Sequence, residues 1–131
     1  MPAGGQAAGA LAERLRRYLG EGRLGVLDHW LYASSLFFCQ LSGDLRDRLG
    51  AMELVLVKGD ANYRRLVGDV HWPPATPFEE ATGYFPAPVA ALRTFKSEVV
   101  LGLQPGQAQR LSAEDPDWRI NGRRGVIQAR L

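Results

Sequence analysis

Cysteine occurs once in this chain, at Cys39, which excludes an internal disulfide and any zinc site built from several cysteines. Histidine occurs twice, at His29 and His71, with no carboxylate at metal-ligand spacing around either. Both are expected to be structural or surface residues rather than zinc ligands. Long hydrophobic runs are missing too. The longest nearly apolar stretch, Trp30 to Cys39, is broken by Ser34 and Ser35, and a membrane span needs about 18 apolar residues. The N-terminus does not join a basic start to an apolar core, so a secretory signal is not expected. No Gly-x-Ser-x-Gly elbow, phosphate-loop Lys-Ser/Thr or dinucleotide glycine fingerprint is present. Lysine is the scarcest of the charged residue types: Lys58 and Lys96 stand against fourteen arginines. These absences leave a soluble domain, with no membrane partner and a cytoplasmic setting expected.

What is present suits one globular domain. The 131 residues are 46% hydrophobic and 23% charged, an ordinary folded mixture. Sixteen basic residues nearly balance fourteen acidic ones, for a net charge of +2. The arginine excess accompanies abundant Ala and Gly, as coding bias produces. A nucleic-acid surface would instead need basic residues gathered with stacking aromatics. The arginine pairs at 16–17, 64–65 and 123–124 are far apart in sequence, so no nucleic-acid partner is expected. Against this background Lys96 stands out.

Along the chain, residues 1–10 are Gly- and Ala-rich and are expected to fray, leaving 11–131 as the folded part. Leu11, Leu15, Tyr18 and Leu19 fall on one helical stripe, ended at Gly20 and Gly22. Arg23 to Leu27 is a short strand candidate, and Trp30 to Phe38 suits a buried connection. Ser42 or Asp44 can cap a helix running to Leu49. Leu54-Val55-Leu56-Val57 is the strongest strand signal and predicts a central parallel strand buried on both faces. A glycine turn and a helix follow, with Asp60 or Asn62 as N-cap. Thr76-Pro77-Phe78-Glu79 carries a capping box. Val89 to Leu92 and Val99 to Leu103 are further strand candidates. Gln107 to Glu114 predicts a helix, Asn121-Gly122 a turn, and Gly125 to Gln128 a last strand. The alternation predicts an α/β fold, three-layer α/β/α with a mainly parallel sheet.

Ligands in such sheets bind beyond the carboxyl ends of the strands. The Gly59 to Asn62 turn occupies such a place, where Asp60 and Asn62 either cap the helix or meet a ligand. Lys96, with Arg93 three residues before it, suits a phosphate or carboxylate, or else is a solvated strand end beside Glu98. The residues alone give an anion-binding half-site with no evident catalytic centre.

Two segments are more specific. Lys58-Gly59-Asp60-Ala61-Asn62-Tyr63-Arg64-Arg65-Leu66-Val67-Gly68-Asp69, followed by Trp72 and Pro77-Phe78, resembles the signature of the damage-control phosphatase family. Pro86 to Lys96 resembles the Arg-Thr-x-Lys motif of its sugar-phosphate subfamily, here Arg93, Thr94 and Lys96. Gly102-Leu103-Gln104-Pro105-Gly106 and Trp118-Arg119-Ile120-Asn121-Gly122 are similar as well. The likeness extends from about Leu11 to Ala129. It implies phosphatases that use manganese, cobalt or nickel on fructose phosphates and related sugar phosphates. It also brings an older description of the subfamily as acidic-residue (protein-glutamate) methyltransferases, although nothing here resembles a Gly-rich adenosylmethionine loop.

By position, the resemblance makes Asp60, Ala61, Asn62, Tyr63, Arg64 and Lys96 substrate-binding residues. Lys96 would hold the phosphate, Asp60 and Asn62 would orient oxygens, and Arg64 would add charge. Ala61 departs from the usual leucine, and Tyr63 is the member closest to a packing role. The family's metal ligands, an Asp-Asn pair and a later Asp, lie upstream of the matched part, and no Asp-Asn dipeptide occurs here. The resemblance thus implies a C-terminal portion that lacks its upstream part. No catalytic or metal-ligating residue is expected in it, and it should have little activity alone. Its expected partners are a phosphorylated sugar and either the missing upstream segment or another chain along an exposed sheet edge. The alternative is a non-catalytic sugar-phosphate or protein-binding module.

Overall fold

The computed structural model describes residues 3–131. Two compact units make up the chain, Met1–Ala33 and Ser34–Leu131. Among the described residues no helix is long and apolar enough to cross a membrane.

In the first unit, helix α1 spans Ala3–Gly20 and contains the predicted Leu11/Leu15/Tyr18/Leu19 stripe. Helix therefore extends through residues 3–10, where the composition suggests fraying, while the first two positions lie outside the described residues. Gly22 ends the helix at φ 67°, with Arg23 N–H donating to Tyr18 O and Gly22 N–H to Leu19 O. This double bond pattern is a Schellman cap. It also explains why Arg23 to Leu27 is not a strand: the Arg23 and Leu24 N–H groups both turn back onto Tyr18 O. A 3-10 turn at Trp30–Ala33 follows, with Leu31 buried and Trp30 61% exposed. The expected burial of this connection is thus only partial.

The second unit opens with a 3-10 turn at Phe38–Gln40 and helix α2, Gly43–Gly50. Strand β1 (Val55–Lys58), helix α3 (Asp60–Leu66), helix α4 (Phe78–Thr82), strand β2 (Val89–Thr94), helix α5 (Gln107–Glu114) and strand β3 (Gly125–Arg130) complete it. The α/β class is as expected, and the sheet is mixed. β1 pairs with β2 in parallel, from Val55 opposite Val89 to Lys58 opposite Leu92. β2 pairs with β3 antiparallel, from Val89 opposite Arg130 to Thr94 opposite Gly125. The order β1-β2-β3 puts β2 in the centre and β1 at an edge, which corrects the expectation that Leu54 to Val57 is central.

Strand alternation separates the two faces. Val57, Val89, Ala91 and Arg93 are buried on the face that α3 and α4 cover, where Tyr63 of α3 stacks on Phe78 of α4. Leu56, Leu92 and Ile127 are exposed on the other face, Leu56 by 66%. Burial on both faces, which the aliphatic run predicts, is absent here.

Val99 to Leu103 is the second correction. It is buried but irregular, and its polar groups are met outside any sheet. Gly102 N–H donates to Thr76 O, Leu103 N–H to Pro74 O, and the Gln128 amide to Leu101 O. Gly102 stands at φ 72°, which breaks an extended run in the middle. Phe95, Val100, Leu103, Ala108 and Trp118 form a core cluster behind this segment.

Gly125 begins β3 opposite Thr94. A Cβ placed there would run into the Arg93 carbonyl oxygen. Gly125→Ala is expected to cost about 1–3 kcal/mol through forced backbone displacement. Thermal melts should show a fall of at least several degrees; an unchanged midpoint would contradict the tight pairing.

Candidate functional site

The site arises where the parallel strands end. β1 and β2 share a direction, so their carboxyl ends open on one edge, and Gly59 N–H extends the ladder by donating to Leu92 O. Gly59, at φ 96°, is the residue that turns the chain from β1 into α3, and it occupies the N-cap position. Asp60 is therefore the first helical residue, not the cap, and neither it nor Asn62 makes a side-chain cap bond.

The motif Arg93-Thr94-Phe95-Lys96 follows from strand alternation carried past the end of β2. Arg93 and Phe95 are buried, whereas Thr94 and Lys96 are exposed. Phe95 is locked by an edge-on contact with Trp118, ring centres 5.3 Å apart, and its N–H donates to Arg124 O. Lys96 thus sits on a rigid support, and the Lys96 stem passes near Gly122 of the Asn121-Gly122 turn.

A cleft of about 580 Å³ opens at this edge. Its lining includes Lys58, Gly59, Asp60, Thr94, Lys96 and Gly125. Both lysines of the chain line it. Neither has an ion-pair partner among the described residues. Asp60 is not a free acid there, because its Oδ1 accepts from Arg93 Nε at 2.7 Å, Ser97 Oγ at 3.2 Å and Lys96 N at 3.4 Å. With Asp60 balanced by Arg93, the two lysines give the cleft its net positive charge.

Of the residues expected at the site, the cleft brings together Asp60, Arg93, Thr94 and Lys96. Ala61, Asn62, Tyr63 and Arg64 lie outside its lining. Asn62 is exposed and donates its side-chain amide to Lys58 O at 3.1 Å. Tyr63 is buried, with its hydroxyl donating to Gln128 Oε1 at 2.7 Å. Burial pushes the Tyr63 phenol up to about 12, with Arg93 pulling the other way. Arg64 donates twice to Asp69, at 2.7 and 2.5 Å. That fork closes the end of α3, where Asp69 itself stands at φ 54° and bonds back to Arg64 O.

Lys58 and Ser97 are the two residues at this edge that the sequence does not single out as site residues. For Lys58 a signal existed: it is one of only two lysines and directly precedes the turn glycine. Ser97 gave none, since its role depends on Asp60 arriving from a distant segment.

Two carboxylates outside the cleft carry an acid-sensitive contribution to stability. The Arg64 fork holds Asp69 below its ordinary range. Asp115 is lowered by the Asn121 amide and also by Arg124. A folded-state pKa below the unfolded value stabilises above the ordinary carboxylate range, near 4, and is lost as pH falls through the folded value. Melting temperature should therefore drop below about pH 4, and Asp115→Asn should make the drop shallower while lowering stability at neutral pH. An unchanged acid limb in that variant would contradict the assignment.

No group of three or more His, Cys, Asp or Glu among the described residues is placed to hold a metal. In the cleft lining, Asp60 is the sole carboxylate; its Oδ1 is fully engaged, which leaves Oδ2 as a single carboxylate oxygen beside two lysines. This donor set does not fit a divalent cation. It fits an anion.

The fold and cleft define an α/β domain with an anion-suited site at the carboxyl edge of its parallel strands. Residues 5–111 match the damage-control phosphatase ARMT1-like domain, and the chain belongs to that family. It is 43% identical over 115 residues to damage-control phosphatase ARMT1 of Mus musculus, covering 85% of this chain and 26% of that protein. The Danio rerio protein of the same name is 40% identical over 117 residues (86% and 26%), and the Homo sapiens protein 40% over 109 (76% and 25%). The chain spans about a quarter of the length of these curated relatives.

Proposed function

We propose that residues 11–131 are the C-terminal, phosphate-binding portion of a metal-dependent sugar-phosphate phosphatase. In this reading the chain binds a phosphorylated sugar, of the fructose 1-phosphate kind, and hydrolyses it little by itself. The observation that carries the reading is the pair of unpartnered lysines, Lys58 and Lys96, on one cleft beside Asp60. Family membership and the resemblance of Arg93-Thr94-Phe95-Lys96 to the sugar-phosphate subfamily motif support it.

Within the cleft, Lys96 and Lys58 act as point charges on the phosphate oxygens. Asp60 Oδ2 makes no hydrogen bond among the described residues and is not closed off from solvent, so it accepts from a sugar hydroxyl. Asn62, Tyr63 and Arg64 serve this site by holding the turn and helix α3 in place. Manganese, nickel or cobalt, which the resemblance implies, would need ligands outside the described residues.

The second reading is a module that binds without turnover in any context, keeping only the lysine-lined cleft. Phosphate release from fructose 1-phosphate with manganese, measured beside calorimetric titration with the same ester, separates the two. The first reading expects saturable binding by the chain alone, with turnover appearing once the remaining family segment is supplied. Turnover that never appears favours the binding module, and absence of binding rejects both. Methyl transfer from labelled adenosylmethionine is expected to be absent.

A further inference from the structure

The arginine of the motif invites assignment as a third cation on the phosphate, but its surroundings do not allow that. The Arg93 side chain has no solvent exposure. Its guanidinium lies 4.5 Å from the centre of the Tyr63 ring and 4.9 Å from that of Phe95. Its edge is equally occupied. Nε donates to Asp60 Oδ1 at 2.7 Å, Nη2 to Ser97 Oγ at 2.7 Å and Ser97 O at 3.1 Å, and Nη1 to Val99 O. Ser97 Oγ then donates to the same Asp60 oxygen at 3.2 Å, closing a triangle of Arg93, Ser97 and Asp60.

We infer that Arg93 is a positioning residue: a buried brace that fixes the Asp60 turn and the 96–99 loop relative to each other, and so sets the spacing of Asp60 and Lys96 across the cleft. The two segments lie 36 positions apart and share no strand pairing of their own. Among the described residues they meet directly only through Asp60 Oδ1, at Ser97 Oγ and the Lys96 N–H, and Arg93 bonds to both, reaching Asp60 on one side and Ser97 and Val99 on the other. A planar fork between two rings meets these acceptors in one geometry. A lysine has neither the plane nor enough donors for the set. The brace stands on geometry alone, whereas its consequence for the ligand rests on the phosphate-binding reading above.

The test uses the 131-residue chain with Arg93→Lys, read by hydrogen–deuterium exchange and by fructose 1-phosphate titration. Amides 96–99 should exchange at least tenfold faster than in the wild type, while those of β1 and β3 change far less. Ester affinity should fall about tenfold in parallel. Ser97→Ala, which removes one corner of the triangle and keeps the buried charge pair, should loosen the same segment by a smaller factor. It also decides the matter if Arg93→Lys does not fold. Exchange that is unchanged, or raised uniformly over the whole unit, would overturn the brace and leave Arg93 an ordinary core residue. A loosened loop with unaltered affinity would overturn its link to the cleft. If the wild-type chain binds no ester, the phosphatase reading fails while the exchange result still decides the brace.

Discussion

Removing both cleft lysines, as Lys58→Ala with Lys96→Ala, is expected to weaken binding of a sugar phosphate by about 100-fold or more. A hydrogen bond to a charged group contributes about 1.5–3 kcal/mol, and 1.4 kcal/mol is tenfold in affinity. Each single substitution should therefore cost about 10- to 100-fold. Both side chains are exposed, so the effect belongs at the lower end at physiological salt and should grow as ionic strength falls. Lys96→Arg should recover only part of the loss, because a planar guanidinium does not replace a compact ammonium on a short rigid loop. The fold should survive all of these changes, since neither lysine has an ion pair to lose. Calorimetric titration with fructose 1-phosphate checks the series. Double-variant affinity within threefold of the wild type would remove the lysines from the site.

The largest loss of stability is expected from Trp118→Ala. Trp118 has no solvent exposure, meets Phe95 edge-on, and donates its indole N–H to Ser112 Oγ at 3.0 Å. Emptying such a position costs about 3–5 kcal/mol, a large share of the 5–15 kcal/mol that keeps a typical domain folded. Phe95 would lose its support, and Lys96 follows Phe95 directly. Trp118→Ala should thus lower both the denaturation midpoint and, in the fraction still folded, the ester affinity. Trp118→Phe keeps the edge-on contact and should cost less than half as much. Chemical denaturation measures both, and a loss under 1 kcal/mol for the alanine variant would show that the site collapses around the gap.

The local signals of the sequence are good guides at several short segments. The Gln107–Glu114 helix and the Asn121-Gly122 turn are where turn and cap chemistry puts them, and β1 and β3 lie within two residues of expectation. Arg23 to Leu27 and the α3 N-cap depart from expectation locally, at the Schellman turn and at Gly59, whereas two larger errors come from long-range partners. Val99 to Leu103 is apolar enough for a strand, yet it is held by Arg93, Gln128 and loop carbonyls that no periodicity reveals. The Leu54 to Val57 run implied burial on both faces, and Leu56 is exposed because nothing among the described residues covers that face. At the site, the rule that ligands lie beyond the carboxyl ends of parallel strands leads from the Gly59–Asn62 turn to the edge where Asp60 and Lys96 meet. The partners of Arg64 and Tyr63 were invisible, because Asp69 competes for one and Gln128 for the other.

The most direct test of the cleft as a phosphate site is a titration of the isotope-labelled chain with fructose 1-phosphate, followed by amide chemical shifts. Saturable shifts should gather at Gly59, Asp60 and 94–97, be absent with unphosphorylated fructose, and need about tenfold more ester to saturate in Lys96→Ala. Shifts that never saturate, or that gather instead around the exposed Arg123 or persist unchanged in Lys96→Ala, would contradict the account.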